Sequence, residues 1–392
     1  MLDKLIEFWS SLKLTVVCLV FALVLVFAGT LAQVEMGLWR AQNEYFRSFF
    51  VFWTPAGSGV KIPVLPGGYL VGGVLLINLI AAHLQRFAFS RKKAGIWLVH
   101  VGLIVLLVGQ LLTDALSRES AMQLFEGETK NYSEDFRGNE LAIIDQTDPK
   151  TDTVFAVPER LLRHPGETIK DMQIPFAVRV KKHWANAVLV QPGSQEPPNA
   201  IHSGATAGVL KDVKLIPLPP VTDTERRSTP AAVVELIQDG KSLGDFLVSS
   251  YTTSDQNFTA DGRRYNIMMR FTRHYYPFSI TLLKATHEKY KGTEIPKNFA
   301  SRVQVRNPSQ NEQRETVIYM NNPLRYSGNT FYQYQMSAGE MAASAGAAAS
   351  STLQVVRNPG WLTPYVSTVL ISAGLLLQFA IHLFGFLKRK AV

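Results

Sequence analysis

The chain has 392 residues, with 40 Lys plus Arg against 31 Asp plus Glu and a formal net charge of +9. Charged residues make up 18%, against about 25% in an average soluble domain, while the apolar fraction is an ordinary 47%; the apolar residues are therefore gathered in blocks. One cysteine, Cys18, excludes an intramolecular disulfide framework, a four-cysteine zinc site, a Cys-x-x-Cys redox pair and a Cys-x-x-Cys-His motif within the chain.

Four windows, 14–34, 62–85, 94–113 and 358–387, run for at least 20 residues without Asp, Glu, Lys or Arg. Each is long enough to cross roughly 30 Å of hydrocarbon as a helix. The predicted spans are 14–33, 68–85, 94–113 and 364–387. The first exceeds the apolar run of about 7 to 15 residues of a cleaved leader, so it reads as a retained anchor. Segments 1–13, 86–93 and 388–392 hold nine basic residues (Lys4, Lys13, Arg86, Arg91, Lys92, Lys93, Lys388, Arg389, Lys390) against two acidic ones, whereas 114–361 carries 28 basic and 27 acidic. Positive charge gathers on the cytoplasmic side of bacterial membranes. The expectation is a multi-pass protein of the bacterial cytoplasmic membrane, with 1–13, the link 86–93 and the tail 388–392 in the cytoplasm and 34–67 and 114–361 in the periplasm. The basic balance is then topology, and no basic stripe interleaved with aromatics points to nucleic acid.

In chain order, segment 34–67 contains GLWRAQNEYFRSFFVFW, with Trp39, Phe46, Phe49, Phe50 and Trp53 around a few polar residues. It reads as an amphipathic helix against membrane lipid, either a plain aromatic anchor or a ligand platform. The second span opens with Gly68-x-x-x-Gly72 and carries Asn78. The third repeats glycine every seven residues at Gly95, Gly102 and Gly109, a small-residue stripe that permits close helix packing. The expectation is that spans two and three pack through these glycines. At about 100° per residue His100 lies roughly 140 to 180° from the stripe, aimed at another partner or a cofactor.

Segment 114–361 reads mostly as strands, from the alternation of FAVRV, FSITLL, SRVQV, TVIYM and STLQVV. Gln238-Asp239-Gly240-Lys241 is a two-residue hairpin signal. Pro-rich 191–198 and 217–220 read as loops, and Ala/Ser/Gly-rich 337–351 as a low-complexity excursion. The fold class expected is a membrane α-helical part of four transmembrane helices plus a large extracytoplasmic, β-rich, sandwich-like domain.

The candidate chemistry lies in three histidines within the spans. His83, His100 and His382 stand three, seven and six residues from flanking basic residues, roughly 5, 10 and 9 Å into the bilayer. A titratable ring at that depth needs a partner, and a neutral imidazole is an axial ligand for haem iron. The alternatives are that His83 snorkels to the interface and that His382 hydrogen-bonds between helices. His164, His183, His202, His274 and His287 show no metal-ligand spacing and read as satisfied or solvated. No nucleophile elbow, Walker loop, HExxH or GxGxxG occurs, and no catalytic residue can be nominated.

The run SSLKLTVVCLVFALVLVFAGTLAQ, then NLIAAHLQRF, GIWLVHVGLIVLLVGQLLT and AMQLFEGET, resembles the ResB family of cytochrome c biogenesis proteins. So do ATHEKYKGTEIPKNFASRVQV, IYMNNPLRYSGNTFYQYQM and STLQVVRNPGWLTPY; residues from about 145 to 265 carry little that is diagnostic. The resemblance implies a subunit of the machinery that moves haem b outward and presents it to the Cys-x-x-Cys-His motif of an apocytochrome c. The implied partner is a CcsA/ResC-type membrane protein, whose tryptophan-rich haem-handling motif is absent here. By the same resemblance His100, in WLVHVGLIVLLVG, is the axial-ligand position, ranked above His83 and His382. His287, Tyr290, Gly292, Pro296, Asn322, Pro323 and Gly328 match family motifs, with Gly and Pro natural as turn formers. Two other classes of function stay open on the residues alone: a b-type cytochrome exchanging electrons with quinone, and a non-catalytic envelope scaffold.

Overall fold

The computed structural model describes residues 2–55, 58–86, 90–190, 193, 197–221, 227–251, 255–289, 296–337 and 348–390. The chain divides into two compact units, Met1–Arg118 with Arg357–Val392, and Glu119–Val221 with Arg226–Val356.

The first unit begins with α1 (Leu2–Trp9) and α2 (Leu12–Met36), joined at Ser11, whose hydroxyl accepts the Lys13 amide as an N-cap. A short helix α3 (Leu38–Ala41) continues into a π-helical turn, Gln42–Phe46. There the predicted amphipathic helix stops. Phe50–Trp53 is strand β1, paired antiparallel with β2 (Ile62–Pro66), so the second half of that segment is a hairpin. A run of consecutive apolar residues carries no helical or strand period, and pairing across the hairpin decides it. Helices α4 (Gly68–Arg86) and α5 (Ala94–Leu116) follow.

The second unit is β-rich. Its elements are β3 (Arg118–Phe125), β4 (Thr129–Asp145), β5 (Thr153–Pro158), the helical turn α6 (Glu159–Leu162), β6 (Thr168–Ile169), β7 (Ala177–Trp184), β8 (Ala187–Leu189), β9 (Ile201–His202) and β10 (Lys214–Pro217). Then come β11 (Ala231–Gln238), β12 (Lys241–Ser249), β13 (Gln256–Ala260), β14 (Arg263–Lys289), β15 (Pro296–Asn307), β16 (Glu312–Tyr319), β17 (Leu324–Tyr326), β18 (Asn329–Ser337) and β19 (Ser350–Arg357). The largest sheet runs β16-β15-β14-β4-β3-β19-β18-β17, with β13 also on β14 and β5 on β4; β12-β11-β7-β6 and β8-β10-β9 form two smaller sheets. Asp239 and Gly240 both take positive φ, 48° and 77°, giving the type I′ hairpin read from sequence between β11 and β12. Most of the low-complexity stretch lies outside the described residues.

Two of the cores are threaded by one strand. Tyr265, Ile267 and Met269 of β14 pack with Leu141 and Ile143 of β4 against Val178 and Val180 of β7 and Ala232, Val234 and Leu236 of β11. Further along, Phe278, Ile280 and Leu282 of β14 join Met122, Val303, Val305, Phe331 and Leu353 in a second core. Between these halves stands Pro277, which lacks an N–H, and there the pairing with β4 is interrupted from Tyr275 to Ile280. Strand β11 is buried on both faces, its Val233 and Ala231 entering a third cluster with Leu215 and Leu247. That explains its unbroken apolar run.

The last helix, α7 (Thr363–Lys390), completes the first unit. The four long helices Leu12–Met36, Gly68–Gln85, Ala94–Leu116 and Thr363–Lys390 are long and apolar enough to cross a membrane, and each matches a predicted span. Their pairing differs from expectation. The buried stripe Gly95, Gly102, Gly109 faces α7, not α4: a methyl on Gly95 would lie 2.5 Å from the Gly374 carbonyl oxygen, and one on Gly102 would lie 2.7 Å from Ile371. The repeat specifies a face, and the helix that fills it lies more than 250 residues away in sequence. In α4, a methyl on Gly68 would meet the Phe46 backbone, whereas one on Gly72 would meet nothing within 4 Å. The small-residue pair in that span is thus no helix-packing motif within the chain.

Polar side chains tie the spans. Asn78 of α4 is buried, donates to the Trp9 and Ser11 carbonyls (2.6 and 3.0 Å) and accepts from the Thr15 hydroxyl at 2.6 Å. At the far end of α5, Asp114 accepts from the Tyr69 hydroxyl and pairs with Arg47 at 2.8 Å. Buried polar groups need such partners, most of all in an apolar solvent.

Candidate functional site

Helices α4 and α5 bring two of the sequence-nominated histidines together. The His83 and His100 ring centroids are 4.7 Å apart with planes at 65°. Trp97, one turn before His100, stands edge-on to His83 at 5.1 Å. His83 is buried within the protein. Trp97 was not among the residues singled out from sequence, where its i, i+3 relation to His100 alone marked it as sharing that face.

Each ring is oriented by its own helix. His83 Nδ1 lies 2.9 Å from the Leu79 carbonyl oxygen, and His100 Nδ1 lies 3.0 Å from that of Ile96. A carbonyl oxygen only accepts, so Nδ1 carries the proton and, in the neutral ring, Nε2 carries the lone pair. That is the tautomer in which histidines ligate metals through Nε2, with the other nitrogen anchored behind. The donor chemistry thus fits haem iron. Two imidazoles on opposite sides of one iron, each bonded at about 2 Å, would have centroids about 6 Å apart. At 4.7 Å this pair has no room for an iron between its rings. The arrangement suits one axial ligand from this chain, with the other imidazole as its neighbour.

His382 is not part of the pair. Its Nε2 accepts from Gln378 Nε2 at 2.9 Å on the same helix, which occupies the lone pair a metal would need. Among the described residues no group of three or more His, Cys, Asp or Glu is placed to hold a metal ion.

In the β-rich unit, the family-motif residues are spread over turns and strand ends. His287 stacks on its cross-strand partner Phe299, with centroids 4.4 Å apart and planes at 11°. Pro296 opens β15. Asn322 exchanges backbone hydrogen bonds with Tyr319, and Pro323 follows it into β17. Ser327 and Gly328, at φ 48° and 74°, form the two-residue turn between β17 and β18, so Gly328 does serve as a turn former. Tyr290 and Gly292 lie outside the described residues.

Two of the remaining histidines face carboxylates. His274 Nε2 is 3.5 Å from Asp135. His183 Nε2 lies 3.0 Å from Glu159, which also takes Arg163 at 3.1 Å, and both His183 and Glu159 are buried. Burial works to raise the Glu159 carboxyl, but the hydrogen bonds from His183 and Arg163 outweigh it and hold it below its ordinary value. A depressed carboxylate contributes stability above its unfolded pKa of about 4.3 and loses it as pH falls through the lower folded value. Replacing Glu159 with Gln is therefore expected to destabilise the protein at neutral pH, with the gap from wild type closing below about pH 4. Unfolding curves recorded across pH check this; a gap independent of pH would contradict it.

Residues 236–349 match the model of the ResB-like family. Protein NrfI of Wolinella succinogenes is 24% identical over 309 residues, covering 78% of this chain and 29% of that protein, so the chain spans less than a third of that relative's length. The solved structure of the cytochrome c heme lyase CcmF aligns over 79% of this chain and 30% of that chain at 9% identity, with a TM-score of 0.20, too low to indicate a shared fold. The family match takes in β12 to β18, with the strand that carries His287 and the turns that carry Asn322 and Gly328, so over that stretch the chain is similar to the ResB-like family.

Proposed function

We propose that this chain is a subunit of the membrane machinery that matures c-type cytochromes, holding haem b within the bilayer and helping to present it for attachment to an apocytochrome. The observation that carries this reading is the apposition of His83 and His100, two imidazoles from different spans, each with Nδ1 anchored and Nε2 as the lone-pair nitrogen. The match of residues 236–349 to the ResB-like family supports it. When bound, haem would supply the vinyl groups and iron, and the apocytochrome the thiols. This chain's own work would be to bind and orient: His100 would hold the group through Nε2, with His83 and Trp97 packed around that ring. Any further ligand would come from outside the chain, and a CcsA/ResC-type partner is the proposed source. The spacing of the ring pair disfavours a b-type cytochrome with both histidines on one iron. The charge distribution supports cytoplasmic termini and a periplasmic β-rich domain.

Deleting the gene is expected to abolish covalently bound haem in at least one c-type cytochrome of the host, seen as loss of peroxidase-stained bands in denaturing gels, with restoration from a plasmid copy. Unchanged bands for every such cytochrome would refute the proposal and leave the scaffold reading.

A further inference from the structure

Among the described residues, the second half of β18 is an edge with no strand paired on one side. Strand β17 covers β18 only from Asn329 to Phe331, while β19 pairs along its other side from Thr330 to Ser337. Among the described residues no strand lies beside Tyr332 to Ser337 on the β17 side. Natural edges are blunted by charge, lysine, proline or a bulge. This strand reads Asn-Thr-Phe-Tyr-Gln-Tyr-Gln-Met-Ser, with no charge and no proline, and Tyr332 and Tyr334 are 38% and 47% exposed. A bulge between Gln333 and Gln335 is its one irregularity.

Beside the edge opens a cleft of about 570 Å³, within the range of ligand-binding pockets, whose walls include Phe299, Met320, Tyr334 and Met336 with the amides of Gln123 and Gln335. Gln333, which also lines it, is held by buried serines: its Oε1 is 2.6 Å from Ser301 Oγ, and its Nε2 donates to Ser351 Oγ at 3.0 Å. The cleft thus has one fixed amide, two adaptable thioethers and two aromatic rings.

We propose that this edge and cleft bind an extended, unfolded polypeptide by strand addition, its main chain pairing with Tyr332 to Ser337 and its alternate apolar side chains entering the cleft. Main-chain pairing supplies affinity without demanding a sequence, and thioethers and aromatics accept varied side chains. A free edge of six residues is about 20 Å long. About 10 Å wide, that strip offers roughly 200 Å², far short of the roughly 1,200 Å² buried by a stable folded dimer, whereas a flexible chain can run from edge to cleft. The inference rests on the maturation reading above, in which the client is an apoprotein before folding.

The test uses the full chain in detergent and a fluorescein-labelled apocytochrome peptide bearing Cys-x-x-Cys-His. A second copy of the peptide is N-methylated at alternate backbone nitrogens, which deletes strand donors and leaves side chains intact. Anisotropy is expected to show binding weakened at least about tenfold by N-methylation. Tyr334→Lys should weaken the unmodified peptide similarly while near-ultraviolet dichroism stays unchanged. Equal binding of the two peptides overturns the proposal, as does cross-linking of Gln335→Cys copies to one another through this edge without peptide, which would make a second copy the occupant. An unrelated peptide of alternating apolar residues separates the two ideas. If it shows the same N-methyl sensitivity while cytochromes mature normally without this chain, the edge stands and the maturation reading falls.

Discussion

On the proposed haem-holding role, replacing His100 with glycine is expected to strip haem from the complex of this chain with its proposed membrane partner. Changing only the hydrogen-bond partners behind a metal ligand costs roughly 10- to 100-fold in affinity, so losing the ligand itself should cost more than about a hundredfold. The haem absorbance of the co-purified complex should fall accordingly, and added imidazole should restore it by entering the vacated space. Rescue separates ligation from packing, because a purely structural ring would not be replaced by a free imidazole that changes the spectrum. His83→Ala removes a packed neighbour 4.7 Å away and should weaken and shift the band without abolishing it. His382→Ala, whose ring is engaged by Gln378, should leave it unaltered. An unchanged spectrum in His100→Gly would remove that residue from the site.

The second large effect concerns the helix pair α5 and α7. Gly95→Ala and Gly72→Ala are the same chemical change in two spans, and both gain about 1 kcal/mol of helix propensity. Their packing surroundings are opposite. A methyl at Gly95 meets the Gly374 carbonyl oxygen at 2.5 Å and the backbone nitrogen of Gln378 at 2.6 Å, whereas a methyl at Gly72 meets nothing within 4 Å. Backbone cannot swing aside as a side chain can, so Gly95→Ala must separate the helices, at a cost of about 1–3 kcal/mol. Thermal unfolding in detergent should show Gly95→Ala melting earlier than wild type and Gly72→Ala melting at the same temperature or later. Equal melting of the two would mean that the stripe does not hold these helices together.

That contrast also shows what the amino-acid sequence could and could not convey. The spans were legible to within about three residues at each end, because a helix of that length in hydrocarbon cannot carry charge. The face of α5 bearing Gly95, Gly102 and Gly109 was legible as well. Its partner was not, because a repeat of seven defines a surface and contains no information about which distant segment fills it. Assigning the glycines to α7 frees the opposite face of α5 for α4, and this is what sets His100 against His83. The pair was therefore implicit in the angle between His100 and the stripe, while its neighbour was misassigned. Strands with strict alternation, such as Phe278 to Leu283, were visible. The first half of β14 and nearly all of β4 were not, because their charged residues pair across strands, as Arg270 does with Glu140 at 3.0 Å and Arg273 with Glu134 at 3.1 Å, and so look like loop. The hairpin β1–β2 was missed for the opposite reason, an apolar run with no period at all.

Strand β14 also bears on how this chain and its relatives can change over evolutionary time. Because Tyr265 and Phe278 are set in different cores by one continuous stretch of backbone, a residue inserted or deleted between them would turn one of the two sets of side chains to the wrong side. Length variation is thereby steered to hairpin tips such as Asp239-Gly240 and Ser327-Gly328, where an added residue disturbs no alternation. Among relatives, the segment from Arg263 to Lys289 should be the ruler that keeps its length while the loops around it drift.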